Sequence, residues 1–367
     1  MRGATGAGLA LVVALLTLAQ PARAGDGMLV GFDDDQITWT ENPGRVLGET
    51  HALGVDAMRV TLRWHPGRRN LVAHDHTVLR RAVAAHRQGV RVVLSVFGRA
   101  TDAPATWRTR NTYCRFVRNA VRRYSEITDV VIWNEANTRA FWRPRVPDRA
   151  AAYEALLAQC WDLLHASVPG ISVLTTTAGG HDPIGFVRRI GLAYAASGRT
   201  RPIFDTFGHN PYPLYPGEPP ATLHDVYVGE GDYARLVAAL DETFAGSGQP
   251  ATPIWYLENG FQTTVGPGRR AGYAGRETQA QTLTPAAQAK QLAAALRLAY
   301  CQPRVAAFFN FLLVDEPTLP GWQSGLLWVD WRRKPAFAAY REAIDEVHRG
   351  GVACPPEEPA PAVRAAP

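Results

Sequence analysis

From residue 28 onward the chain alternates short apolar, β-branched runs with longer amphipathic stretches, the pattern of parallel strands joined by helical crossovers. Eight runs read as strands: Met28 to Asp35, Met58 to Trp64, Arg91 to Gly98, Asp129 to Asn137, Ile171 to Ala178, Phe204 to Pro213, Pro253 to Phe261 and Val305 to Asp315. Helical spacing appears between them at Thr77 to Gln88, Tyr113 to Tyr124, Ala150 to Ala166, Tyr233 to Phe244 and Pro285 to Tyr300, and after the last strand at Lys334 to Val347. This order predicts an α/β chain with one (β/α)8 TIM-barrel domain over residues 25–350. The rival, an open doubly wound sheet, lacks the Gly-x-Gly-x-x-Gly expected at a dinucleotide-binding first turn.

A parallel barrel opens all its strand C-termini on one mouth, so the residues that end the apolar runs must converge there. Strand four runs Val130-Val131-Ile132 and then stops at Trp133-Asn134-Glu135-Ala136-Asn137; strand seven runs Ile254-Trp255-Tyr256-Leu257 and stops at Glu258-Asn259-Gly260. A carboxylate at the inward end of an apolar strand costs desolvation unless a partner or a function compensates it. Cleavage of a glycosidic bond uses two such groups, one protonated to donate to the leaving oxygen and one ionised to meet the anomeric carbon.

Trp133-Asn134-Glu135 and Leu257-Glu258-Asn259-Gly260 resemble the acid/base and nucleophile signatures of glycoside hydrolase clan A, whose barrels carry catalytic glutamates at the ends of strands four and seven. The resemblance spans about residues 28 to 347, and Gly325-Leu326 and Lys334-Pro335-Ala336 are similar to families 5 and 39. It implies that Glu135 is the general acid/base and Glu258 the nucleophile, that Arg59 holds the nucleophile ionised, and that Asn134 binds the sugar 2-hydroxyl. It further implies that His209 and Tyr212, in Gly208-His209-Asn210-Pro211-Tyr212, form a strand-six pair whose tyrosine contacts the nucleophile. Ala136 stands where many clan members carry proline. The implied activity is retaining hydrolysis of β-glycosidic bonds in a poly- or oligosaccharide by double displacement, by a monomer without cofactor or metal. The alternative is a catalytically silent carbohydrate-binding barrel.

Aromatic rings stack on the CH faces of sugars, which makes Trp64, Trp133, Trp142 and Trp322, near rim strands and loops, candidate platforms; Trp161, in mid-helix, reads as core. Asp33-Asp34-Asp35 ends strand one at the mouth. His74-Asp75-His76 precedes a helix and reads as a cap rather than a metal site. Gln262 to Thr282, rich in glycine and threonine after strand seven, reads as a mobile loop bordering the cleft.

Composition then sets the compartment. A basic start, an apolar run from Gly8 to Ala19 and Ala22-Arg23-Ala24 predict a signal peptide over residues 1–24 and a secreted product; that run is short of the roughly 20 residues of a membrane span. The four cysteines, in an exported chain, predict disulfides Cys114–Cys160 and Cys301–Cys354, which would link neighbouring helices or tie the tail down. The formal charge is +6, but all 39 basic residues except Lys290 and Lys334 are arginines scattered along the chain, a pattern that argues against a nucleic-acid-binding stripe. Residues 351–367, rich in proline and alanine, read as a disordered tail.

Overall fold

Each of the eight apolar runs forms a strand: β1 (Leu29–Asp33), β2 (Ala57–Arg63), β3 (Arg91–Phe97), β4 (Asp129–Ile132), β5 (Ser172–Ala178), β6 (Thr206–Asn210), β7 (Ile254–Asn259) and β8 (Val305–Phe311). All pair in parallel with their sequence neighbours, and β8 returns to β1 to close the (β/α)8 barrel. The computed structural model describes residue 25 and residues 27–277 and 283–355; the expected leader, and the tail from residue 356, lie outside the described residues.

The helices are α1 (Gln36–Trp39), α2 (Pro43–Leu53), α3 (Ala73–His86), α4 (Trp107–Arg123), α5 (Arg149–His165), α6 (Pro183–Ala196), α7 (Tyr233–Phe244), α8 (Pro285–Tyr300) and α9 (Pro335–His348). Local chemistry sets their starts. Asp148 accepts hydrogen bonds from the Ala150 and Ala151 amides at the head of α5, and Thr284 caps α8, whose first residue is proline. The cap reading of His74-Asp75-His76 also holds, since Asp75 accepts from the Val72 amide at 2.9 Å at the start of α3.

Inside the barrel, Ala57, Val93, Val131, Leu174, Trp255, Leu257, Ala307 and Phe309 form one buried apolar layer. Each large member contributes about 1.5–3 kcal/mol by leaving water. Space in the lumen is shared between large and small residues. A Cβ on Gly208 would lie 2.5 Å from Leu257 and 2.2 Å from the Thr175 carbonyl, so glycine there admits the leucine. The larger apolar cluster packs between strands and helices.

Cys114–Cys160 joins α4 to α5, and Cys301–Cys354 ties the chain after α9 to the end of α8, as the sequence predicts. With separations of 46 and 53 residues, each restricts the unfolded chain by about 4 kcal/mol in the loop-entropy account. Among the described residues no helix is long and apolar enough to cross a membrane.

Candidate active site

Strand alternation decides which side chains reach the mouth. Ala57 and Val93 belong to the lumen layer, and two residues on, Arg59 and Ser95 point the same way, as does Asp33, which pairs in register with Arg59. Buried Arg59 organises this floor. Its Nε donates to Ser95 Oγ at 2.7 Å, Nη2 to Asn134 Oδ1 at 2.9 Å, and Nη1 to both Glu258 Oε1 and Asp33 Oδ2 at 2.5 Å. Burial alone would lower the Arg59 pKa, but the charges of Asp33 and Glu258 outweigh it and raise it, so the guanidinium stays charged.

The two glutamates reach the mouth through breaks in that alternation. On β7 the register shifts between Tyr256 and Asn259, so the adjacent residues Leu257 and Glu258 both serve the interior, one in the lumen layer and one at the rim. After β4, Trp133 and Glu135 adopt φ of 66° and 38°, left-handed values that cost a non-glycine residue about 1–3 kcal/mol and cluster at functional sites. The turn carries Asn134 to Arg59 and Glu135 to β6, where Asn210 Nδ2 donates to Glu135 Oε1 at 2.9 Å.

The two glutamates have different surroundings. Burial, followed by repulsion from Glu258, raises the Glu135 carboxyl to about 7, against the opposing Asn210 hydrogen bond and the Arg59 charge. Glu258 instead receives Arg59 and, on its other oxygen, the Tyr212 hydroxyl at 3.0 Å. Burial and the Glu258 charge hold the Tyr212 pKa well above its ordinary value, so it remains a phenol donor. The arrangement therefore supplies one carboxyl able to hold a proton near neutrality and one carboxylate held by a cation and a phenol. A cleft of about 320 Å³ opens beside Glu258, lined by Asp33, Arg59, Asn134, Phe97 and Phe311 among others.

Four expectations require correction. Trp64, Trp133 and Trp142 present no face to a ligand: their exposures are 1%, 0% and 0%, and with Tyr113 and Tyr153 they form an edge-on aromatic chain at the β4 turn. The indole N–H groups of Trp64 and Trp142 bond the Arg68 and Arg149 carbonyls, and both rings pack against Trp133 in the turn that carries Glu135. His209 is also fully buried, because alternation sends Gly208 and Asn210 into the lumen and His209 outward. Its Nδ1 meets Thr177 Oγ1 at 3.0 Å and its Nε2 the Val228 carbonyl at 2.9 Å, while burial lowers its pKa to about 4.

Trp322 does sit at the mouth, half-buried against Tyr212 and Phe311 at ring separations of 5.0 and 5.4 Å. The Gln262–Thr282 loop is anchored over its described part rather than loose: Tyr273 donates to Asp315 at 2.7 Å and joins a small apolar cluster with Val265, Leu319 and Trp328. Residues 278–282 lie outside the described residues. Sequence reasoning passed over Asn210, Ser95 and the Asp33–Arg59 pair. Inward parity with Gly208, Arg59 and Val93 is the signal that finds them.

The molecule is thus a (β/α)8 barrel whose mouth joins two glutamates on opposite strands. Solved structures share this fold: a family 39 glycoside hydrolase from Bacteroides cellulosilyticus WH2 matches at a TM-score of 0.64 and 17% identity, over 88% of this chain and 65% of that one. A variant of GH5_18 from Streptomyces cattleya in complex with Manβ1-4GlcNAc matches at 0.59 and 17%, over 92% and 83%. An exo-β-1,4-mannosidase from Opitutaceae bacterium strain TAV5 matches at 0.59 and 15%, over 88% and 60%. The chain therefore spans less than two thirds of the length of the first and third of these, 65% and 60%. No family model and no curated protein sequence matches the chain.

Proposed function

We propose that the protein is a retaining β-glycoside hydrolase acting on a poly- or oligosaccharide, with Glu258 as nucleophile and Glu135 as general acid/base. The observation that carries this reading is the contrast between the two glutamates: Glu135 raised to about 7 with its carboxyl bonded by the neutral Asn210 amide, Glu258 held by Arg59 and Tyr212. Glu258 attacks the anomeric carbon while the Glu135 carboxyl protonates the departing oxygen; the bond to the aglycone breaks and a glycosyl ester on Glu258 forms. Glu135, now ionised, takes a proton from water, whose oxygen attacks the same carbon and releases Glu258. Asn134 accepts from Arg59 through Oδ1, which leaves its amide N–H groups for the sugar 2-hydroxyl, and Trp322 supplies a platform at the rim.

The fold shared with glycoside hydrolases of families 5 and 39 supports the reading, as do the two disulfides, which suit an exported protein with a cleaved leader at residues 1–24. The test is a panel of aryl β-glycosides and β-linked polysaccharides incubated with the purified protein. Release of the phenol or of reducing ends, lost in Glu258→Ala, is expected. Glycan binding without turnover on any substrate would favour a silent sugar-binding barrel.

A further inference from the structure

Away from the two glutamates, a dense set of titratable side chains lies in and just beyond the loop from β6 toward α7, residues 211–229. Both ring nitrogens of His224 face carboxylate oxygens: Nδ1 lies 2.8 Å from Asp232 Oδ2 and Nε2 lies 2.9 Å from Glu218 Oε1. A neutral imidazole carries one N–H and cannot donate to both; an imidazolium donates to both. The same carboxylates hold backbone. Glu218 Oε2 accepts from the Leu214 amide at 2.6 Å, and Asp232 accepts from the His224 and Gly229 amides at 3.0 and 2.9 Å.

This clasp reaches the candidate nucleophile in two steps. Leu214 follows Tyr212 by two residues, and Tyr227, whose ring stands 5.2 Å from His224, donates its hydroxyl to the Tyr212 carbonyl at 2.8 Å. Tyr212 in turn donates to Glu258. We propose that the Glu218–His224–Asp232 clasp positions Tyr212: with both ring nitrogens protonated, His224 draws the two arms of the loop together and fixes the Tyr212 hydroxyl on Glu258. The proposal rests on the reading of Glu258 as nucleophile.

The groups that face His224 are Glu218, Asp232 and Tyr227, with Arg235 paired to the far side of Asp232 at 3.1 Å and buried Glu230 lining the same small pocket. Burial pulls the His224 pKa down, but hydrogen bonds and charge from Asp232 and Glu218 outweigh it and leave the value raised. The clasp is therefore complete below the ordinary histidine pKa and is lost as pH rises through the raised folded value.

The test uses the full protein and a 2,4-dinitrophenyl β-glycoside, whose leaving group needs no proton, so that kcat/KM no longer depends on Glu135 as an acid. Wild type is expected to keep a basic limb above the ordinary histidine pKa. His224→Gln should flatten that limb and lie about tenfold below the wild-type low-pH plateau. Tyr212→Phe should also be flat, and adding His224→Gln to it should cost nothing further, the sign of one shared interaction. A wild-type profile without the limb, a limb that survives in His224→Gln, or losses that simply add would each overturn the clasp. Should His224→Gln fail to fold, nitrogen NMR of the wild-type imidazoles decides: a doubly protonated ring persisting above about pH 6.5 is expected, and a neutral ring at pH 6 would overturn the proposal. Failure of the underlying reading looks different, because then either wild type turns over no substrate or turnover survives Glu258→Ala.

Discussion

Two buried cations hold the mouth and its neighbouring loops, and they do so in opposite ways. Lys334 has three N–H groups and three acceptors, Asp315 Oδ1 at 2.7 Å and Thr263 Oγ1 and the Gln323 carbonyl at 2.9 Å, while Asp315 also takes the Tyr273 hydroxyl and the Gly325 amide. One charge meets one charge, every donor is used, and the cluster locks the β7 and β8 loops together. Arg59 instead shares one guanidinium between Asp33 and Glu258, with Glu135 close enough to feel the surplus. Burial raises the carboxyls at both clusters, but at Asp315 the Lys334 charge opposes it, whereas at Asp33 and Glu135 repulsion from Glu258 adds to it. A closed, balanced buried pair serves the fold; an unbalanced one open to a cleft is a set of protonation states available for chemistry.

Substitutions should separate the two clusters. The largest effect is expected from Glu258→Ala, which should lower kcat/KM by at least about 10⁴-fold while the thermal melting profile stays near that of wild type. Glu135→Ala should cost about 10²–10⁴-fold on alkyl or sugar leaving groups and much less on 2,4-dinitrophenyl glycosides, as measured by initial rates on both.

Lys334→Met belongs to the other side of the comparison. It strands Asp315 and should remove about 3 kcal/mol of stability in urea unfolding, with kcat of the folded fraction retained. If it abolished turnover at full stability, the division between the clusters would fail. The pH dependence sharpens the contrast. Because Glu135 must be protonated for the first step, kcat/KM on unactivated substrates should fall as pH rises through about 7, and a flat profile there would remove Glu135 from the acid role. The smallest expected effect is that of Trp322→Ala: a KM increase of roughly five- to tenfold from the lost platform, read from steady-state kinetics on an oligosaccharide.

The barrel was legible because each strand is a short β-branched run bounded by polar residues, and the spacing of these runs left room for one helix in every gap. Both disulfides were legible for the same reason, since the helices placed their cysteines on neighbouring elements. The floor of the site was only partly so. Glu135 and Glu258 end apolar runs and announce themselves, and Arg59, inside an apolar run, was found through the family resemblance, whereas the choice between His209 and Asn210 depends on strand parity counted from the lumen-facing Gly208. Trp64 and Trp142 misled because position near a rim says nothing about depth. Their indoles turn away from the cleft to bond backbone carbonyls, a contact between segments that a linear pattern does not encode.

The most direct test of the double-displacement account is proton NMR of the sugar first released from an aryl β-glycoside, recorded before mutarotation, for wild type and Glu258→Ala side by side. The account predicts that the β-anomer appears first with wild type and that the variant releases nothing. First appearance of the α-anomer, or unchanged release by the variant, would contradict it.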